Sequence, residues 1–152
     1  RVIGATADVN NERPARMLEK IRGAFGGTLR GKTVAQLGLT FKPSTDDLRE
    51  SPALAILAAM VAEGATVRAF DPVGMANARE LGLVGVTFCA SELEAIEGAD
   101  GLVVATEWNQ FRGIDPDVLR SRLKGNVVCD LRNVYEPSVM RSRGFDYVAV
   151  GR

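Results

Sequence analysis

TVAQLGLTFKPSTDDLRESPALAILAAMVAEGATVRAF, residues Thr33–Phe70, holds a strand, a polar loop, a helix and a second strand in succession. Thr33–Gly38 (TVAQLG) is a short apolar run closed by glycine, which reads as a buried strand. The irregular stretch Thr40–Glu50 (TFKPSTDDLRE) leads to Ser51-Pro52. Serine followed by proline marks a helix start, because proline at the first helical position lacks only a donor that would be orphaned there anyway. The helix Pro52–Glu63 is apolar nearly all round, which predicts burial, and Gly64 closes it. Thr66–Phe70 is then the next strand.

The same alternation extends in both directions. Upstream, Asn10 or Asn11 can cap a helix with apolar residues Met17, Leu18, Ile21 and Phe25 at 3–4 spacing, ended by Gly26 and Gly27. Downstream come a turn at Asp71-Pro72, a helix over about Gly74–Leu81, and a strand at Val86–Cys89. Ser91 with Glu94 forms a capping-box pattern for a short helix ending at Gly98. A strand at Gly101–Ala105, a helix from Asp115-Pro116 to about Leu123, a strand at Asn126–Asp130, a helix near Ser138–Arg143 and a strand at Tyr147–Val150 complete the chain. Strands that are continuous apolar runs separated by helices predict a parallel sheet covered on both faces. The expected fold is α/β and doubly wound: a three-layer α/β/α Rossmann-like domain with a mainly parallel sheet of five or six strands, preceded by a helix.

The composition narrows the function. The 152 residues carry 19 Lys+Arg against 19 Asp+Glu and no histidine, so the formal charge is zero. One domain is the expectation at this length. A neutral chain has no electrostatic footprint for a nucleic-acid backbone or a membrane surface, which points to small molecules or proteins as partners. Without histidine there is no Ser-His or Cys-His nucleophile pair and no histidine metal ligand, and no metal site is expected. Cys89 and Cys129 sit far apart within apolar runs and read as buried free thiols. No signal peptide is visible, and the longest apolar stretch, Ala53–Ala62, is about half the roughly 20 residues of a membrane-spanning helix, so a cytoplasmic location is expected. A start at Arg1 that runs into helix-like sequence suggests a piece of something longer.

In doubly wound sheets ligands bind outside the carboxyl ends of the strands, where the strand order reverses. In the loop after the first strand, Lys42 offers a compact cation and Arg49 a planar fork for phosphate, around Asp46 and Asp47. The loop reads either as an anion site at the start of the following helix or as internal Lys42–Asp46 and Asp47–Arg49 pairs. Arg132, after the fifth strand, can reach a phosphate or ribose, or can pair with Asp130 or Glu136. In Thr106-Glu107-Trp108 the indole can stack on a base or pack over the following helix. The first strand runs into Gly38-Leu39-Thr40-Phe41, which lacks the later glycines of a dinucleotide-binding turn. A P-loop is absent too, and Cys89 stands where a receiver domain needs its phosphorylatable aspartate.

These segments carry a resemblance. GLTFKPSTDDLRESPA (Gly38–Ala53), EGA (Glu63–Ala65), FDP (Phe70–Pro72), TEW (Thr106–Trp108) with Phe111, and DLRN (Asp130–Asn133) occur in the order and spacing of the carboxyl-terminal, UDP-binding domain of the UDP-glucose/GDP-mannose dehydrogenase family. The chain resembles that domain over about residues 10 to 150. The resemblance implies an oxidoreductase that takes the C6 alcohol of a nucleotide sugar to a carboxylate in two NAD-dependent steps through a thiohemiacetal on a cysteine. It implies that 1–30 is the end of a central connecting helix and 31–152 the UDP-sugar-binding domain. NAD is then bound mainly by an amino-terminal Rossmann domain, and a separate motif there and at its junction holds the catalytic cysteine, so no catalytic residue is expected here. Phe41, Lys42 and Arg132 match positions that contact the UDP-sugar, and Arg49 matches an arginine that approaches NAD. The family commonly has glycine where this chain has Leu131, and leucine restricts the backbone there. The full-length protein is expected to be a homodimer.

Within the family, TEW and the Arg132-Asn133 pair favour UDP-glucose, with GDP-mannose or a UDP-N-acetyl sugar as the alternative. On either reading the isolated chain binds without catalysing. A reading from another class is a non-catalytic nucleotide-binding or oligomerisation module.

Overall fold

The computed structural model of the chain describes residues 14–40, 48 and 51–150. A helix whose described part covers 14–24 (α1) precedes β1 (Thr33–Leu37), α2 (Pro52–Ala62), β2 (Thr66–Phe70), α3 (Met75–Arg79), β3 (Val86–Phe88) and α4 (Glu92–Ile96). Then follow β4 (Gly101–Val104), α5 (Asn109–Arg112), α6 (Pro116–Arg122), β5 (Val127–Asp130), α7 (Pro137–Ser142) and β6 (Asp146–Ala149). The strands form one sheet in the order β3-β2-β1-β4-β5-β6, and every neighbouring pair is parallel. This is the doubly wound Rossmann order, with its switch point between β1 and β4.

Alternation along the strands divides the core into two layers. Ala35, Leu37, Leu102, Val104 and Val128 face α4 to α7 and pack with Ile96, Phe111, Leu119 and Met140. Val34, Val67, Val103 and Cys129 face the other way and pack with Ile21 and Phe25 of α1 and Ile56, Leu57 and Met60 of α2. Helix α1 is thus built into the second layer. Gly101 makes room for it, since a Cβ there would lie 2.8 Å from Cε1 of the Phe25 ring. At the rim, Lys20 Nζ donates to the Ala149 carbonyl at 2.7 Å, and Arg22 forms a two-bonded pair with Glu63 at the end of α2. The Arg22 hydrogen bonds hold the Glu63 carboxyl below its usual range.

Several local expectations change in detail. Helix α2 is buried on one side only; its outward face is Ala55, Ala58 and Ala62, small enough to meet water at little cost, so apolar composition did not mean all-round burial. Helix α3 is shorter than Gly74–Leu81, and β3 stops at Phe88. Helix α5, a single turn, has too few residues to show a period in the sequence. The Ser91–Glu94 signal is real but shifted: Ser91 Oγ accepts from Glu94 N–H at 3.1 Å, while the Glu94 carboxylate reaches Ala90 N–H at 2.9 Å. The predicted cap at Asn10 or Asn11 lies outside the described residues.

Because Ile21 is fully buried between α1 and the sheet, Ile21→Ala should cost about 2–5 kcal/mol. The urea midpoint should fall with the m-value unchanged. A loss below about 1 kcal/mol would show that α1 lies outside the cooperative core.

Candidate functional site

At the switch point β1 and β4 leave the sheet side by side. The ladder runs to its last residues, with Gly38 N–H donating to the Phe70 carbonyl and Ala105 N–H to the Leu37 carbonyl, each at 2.8 Å. Gly38 has φ +106°, and a Cβ on it would lie 2.6 Å from both Cβ and N of Thr106. Only glycine fits. Thr106 Oγ1 in turn donates to the Thr40 carbonyl at 3.2 Å, tying the β4 exit to the β1 exit.

Asp71, fully buried after β2, organises this edge. Its Oδ2 accepts from Leu39 N–H at 2.8 Å, Thr40 N–H at 3.1 Å and Thr40 Oγ1 at 3.2 Å. Its Oδ1 accepts from Val73 and Gly74 N–H at 2.9 and 2.8 Å. A buried carboxylate is tolerated when its oxygens are this fully used. Residues 39 and 40 are thereby held at the mouth of the loop that contains Phe41 and Lys42. The loop's far end is held as well: Ser51 Oγ donates to the Leu39 carbonyl at 2.7 Å, and Gln36 Nε2 bridges the Gly38 and Ala53 carbonyls at 3.1 and 2.9 Å. Phe41, Lys42 and Arg49 themselves, and the Lys42–Asp46 and Asp47–Arg49 alternatives, lie outside the described residues.

A second buried carboxylate, Asp130, shapes the end of β5. It accepts from the backbone N–H groups of Arg132, Val134 and Tyr135 at 3.3, 3.0 and 2.9 Å, and from the Tyr147 hydroxyl at 2.6 Å. Tyr135 donates its own hydroxyl to the Phe111 carbonyl at 2.7 Å, and burial pushes its phenol up from the ordinary value. The turn reverses through Asn133 at φ +55°, a conformation asparagine tolerates. The Leu131 side chain meanwhile enters the core, so the family's glycine position needs no positive φ here. Arg132 pairs neither with Asp130 nor with Glu136 through its guanidinium. It forms a bidentate pair with Glu107, Nε to Oε2 at 2.7 Å and Nη2 to Oε1 at 2.8 Å. That partner was missed because sequence separation hides it; β4 and β5 are neighbours, with Val104 opposite Asp130. Trp108 packs against the first core layer, as the packing alternative holds.

Cys89 and Cys129 are buried free thiols. Burial raises both, Cys129 to about 12, which disfavours the thiolate that nucleophilic work requires. No group of three His, Cys, Asp or Glu suited to a metal ion occurs among the described residues.

The candidate site thus lies between the fixed exit of β1 at Leu39 and Thr40 and the arginine after β5, on either side of the switch point. Residues 35–137 match the UDP binding domain of the UDP-glucose/GDP-mannose dehydrogenase family. The chain belongs to that family. Within it, the chain is 45% identical over 152 residues to the UDP-glucose 6-dehydrogenase of Rhizobium meliloti (strain 1021), covering 100% of this chain and 35% of that protein. It is 38% identical over 157 residues to the UDP-glucose 6-dehydrogenase of Pseudomonas aeruginosa, again covering 100% and 35%. A solved UDP-glucose dehydrogenase from Pyrobaculum islandicum shares the fold at TM-score 0.78 and 32% identity, over 95% of this chain and 31% of that one. The chain therefore spans about a third of the length of the curated relatives it matches.

Asp71→Asn turns an amide NH2 toward backbone donors and should cost about 3 kcal/mol by urea denaturation; less than about 1 kcal/mol would contradict the anchoring role. Iodoacetamide at pH 8 should leave Cys129 unmodified in the folded chain and label it in urea. Labelling at equal rates would refute its burial.

Proposed function

We propose that this chain is the nucleotide-sugar-binding part of an NAD-dependent UDP-glucose 6-dehydrogenase, which converts UDP-glucose to UDP-glucuronate for polysaccharide biosynthesis. Family membership and relatives that carry this name support the reading. The observation that carries it is Arg132, held at the carboxyl edge of β5 by Asp130 and Glu107, where doubly wound sheets take their ligands. In this reading Phe41, Lys42 and Arg132 bind the UDP-sugar. Lys42 contributes a point charge and Arg132 a planar fork for phosphate or ribose oxygens.

The turn after β1 does not fit a dinucleotide pyrophosphate. Thr40 and Pro43 stand where the second and third glycines of such a turn would be, and the second is the one that lets the backbone approach a pyrophosphate. NAD is accordingly assigned to segments of the whole protein outside this chain, with Arg49 approaching it from this domain. No catalytic residue is assigned here. Residues 1–30 are read as the end of a connecting helix and 31–152 as the UDP-sugar domain of a cytoplasmic homodimer. Among the described residues no helix is long and apolar enough to cross a membrane.

Calorimetric titration of the chain with UDP-glucose, UDP, GDP-mannose and NAD tests the reading. Binding of the uridine ligands with GDP-mannose and NAD weak supports it; preference for GDP-mannose or NAD contradicts it. Lys42→Ala should weaken UDP-glucose binding by about 1.5–3 kcal/mol with the fold intact. Unchanged affinity would remove Lys42 from the site.

A further inference from the structure

The Arg132–Glu107 pair uses the guanidinium in an uneven way. Glu107 takes the Nε–Nη2 edge with both carboxylate oxygens, so its acceptor capacity toward that edge is complete. Of the remaining N–H bonds, one on Nη1 and one on Nη2 form the adjacent end-on edge of the same plane, and the second on Nη1 points back toward Cδ. The side chains are 38% and 32% exposed, so the pair lies at the surface of the carboxyl edge. Exposed pairs stabilise a fold only slightly, so stability does not explain why both backbones are so well fixed. The Arg132 N–H is held by the buried Asp130, and Glu107 directly follows Thr106, which is locked against Gly38 and Thr40.

We propose that Glu107 is a positioning residue for ligand binding: it grips one edge of the Arg132 guanidinium and presents the Nη1–Nη2 edge, already oriented, to the anionic part of a uridine nucleotide. This rests on the functional reading above. Preorganisation lowers the entropy lost when the ligand binds, because a long side chain no longer has to be ordered at that moment. A ligand oxygen pair then meets a planar donor fork while Glu107 stays in place.

The competing view is that Glu107 merely screens Arg132 and has to leave before an anion can bind. The two views differ in sign. Removing a carboxylate near a phosphate strengthens anion binding on Coulombic grounds alone, whereas removing a positioning group weakens it. Glu107→Gln retains shape and loses the charge and one acceptor oxygen. The experiment is a calorimetric titration of the wild-type chain, Glu107→Gln, Arg132→Ala and the double variant with UDP, beside 15N spectra of the Arg132 Nε–H group.

The expected results are a loss of about tenfold in UDP affinity for Glu107→Gln and a double variant no weaker than Arg132→Ala alone. The Arg132 Nε–H signal should be protected from exchange in the wild type, persist in the UDP complex, and be lost in Glu107→Gln. Equal or tighter binding by Glu107→Gln, or loss of the protected signal when UDP binds to the wild type, overturns the positioning role and leaves the functional reading standing. A wild-type chain with the protected signal that binds no UDP overturns the functional reading itself.

Discussion

The Asp71 carboxylate is the interaction on which the carboxyl edge of the sheet depends. It is buried after β2, yet it spends its oxygens on the backbone leaving β1 and on the turn entering α3. A charge in this position is stable only because the surrounding N–H groups converge on it. The same convergence leaves residues 39 and 40 little freedom. Gly38 and Thr106 complete the lock from the β4 side, where contact with backbone and side chain admits no Cβ.

Asp130 repeats the device one strand beyond the switch point's far side. Each carboxylate lies at the carboxyl end of a parallel strand, collects backbone donors and shapes the chain there: the exit of β1 at Leu39 and Thr40 in one case, the turn bearing Arg132 in the other. Neither aspartate is placed to meet a ligand, since both are saturated by the chain itself. The two buried aspartates thus build the carboxyl edge, and the arginine fixed there is held by Glu107.

Much of this was legible in advance, because alternating apolar runs and Ser-Pro or Asp-Pro starts are local signals. Thr66–Phe70 forms as read, and Ser91 caps its helix. What local signals lack is the partner across the sheet. Strand order β3-β2-β1-β4-β5-β6 brings Glu107 to Arg132 and Asp71 to Leu39, and no periodicity encodes those meetings. Asp71 read as a turn residue before proline, which is true and incomplete. The alanine face of α2 misled for a different reason: alanine is apolar in composition but nearly indifferent to exposure. Arg132 stands at the edge where the sequence put it, while Phe41, Lys42 and Arg49 fall outside the described residues.

The central claim is that the nucleotide sugar binds across the carboxyl ends of β1, β4 and β5. Titration of the 15N-labelled chain with UDP-glucose, followed by backbone amide shifts, tests it most directly. The largest changes should appear at Leu39, Thr40, Glu107, Trp108 and Arg132, with Asp100 and Gly125 at the opposite edge unmoved. Changes centred on Asp100 and Gly125, or none at saturating ligand, would contradict it.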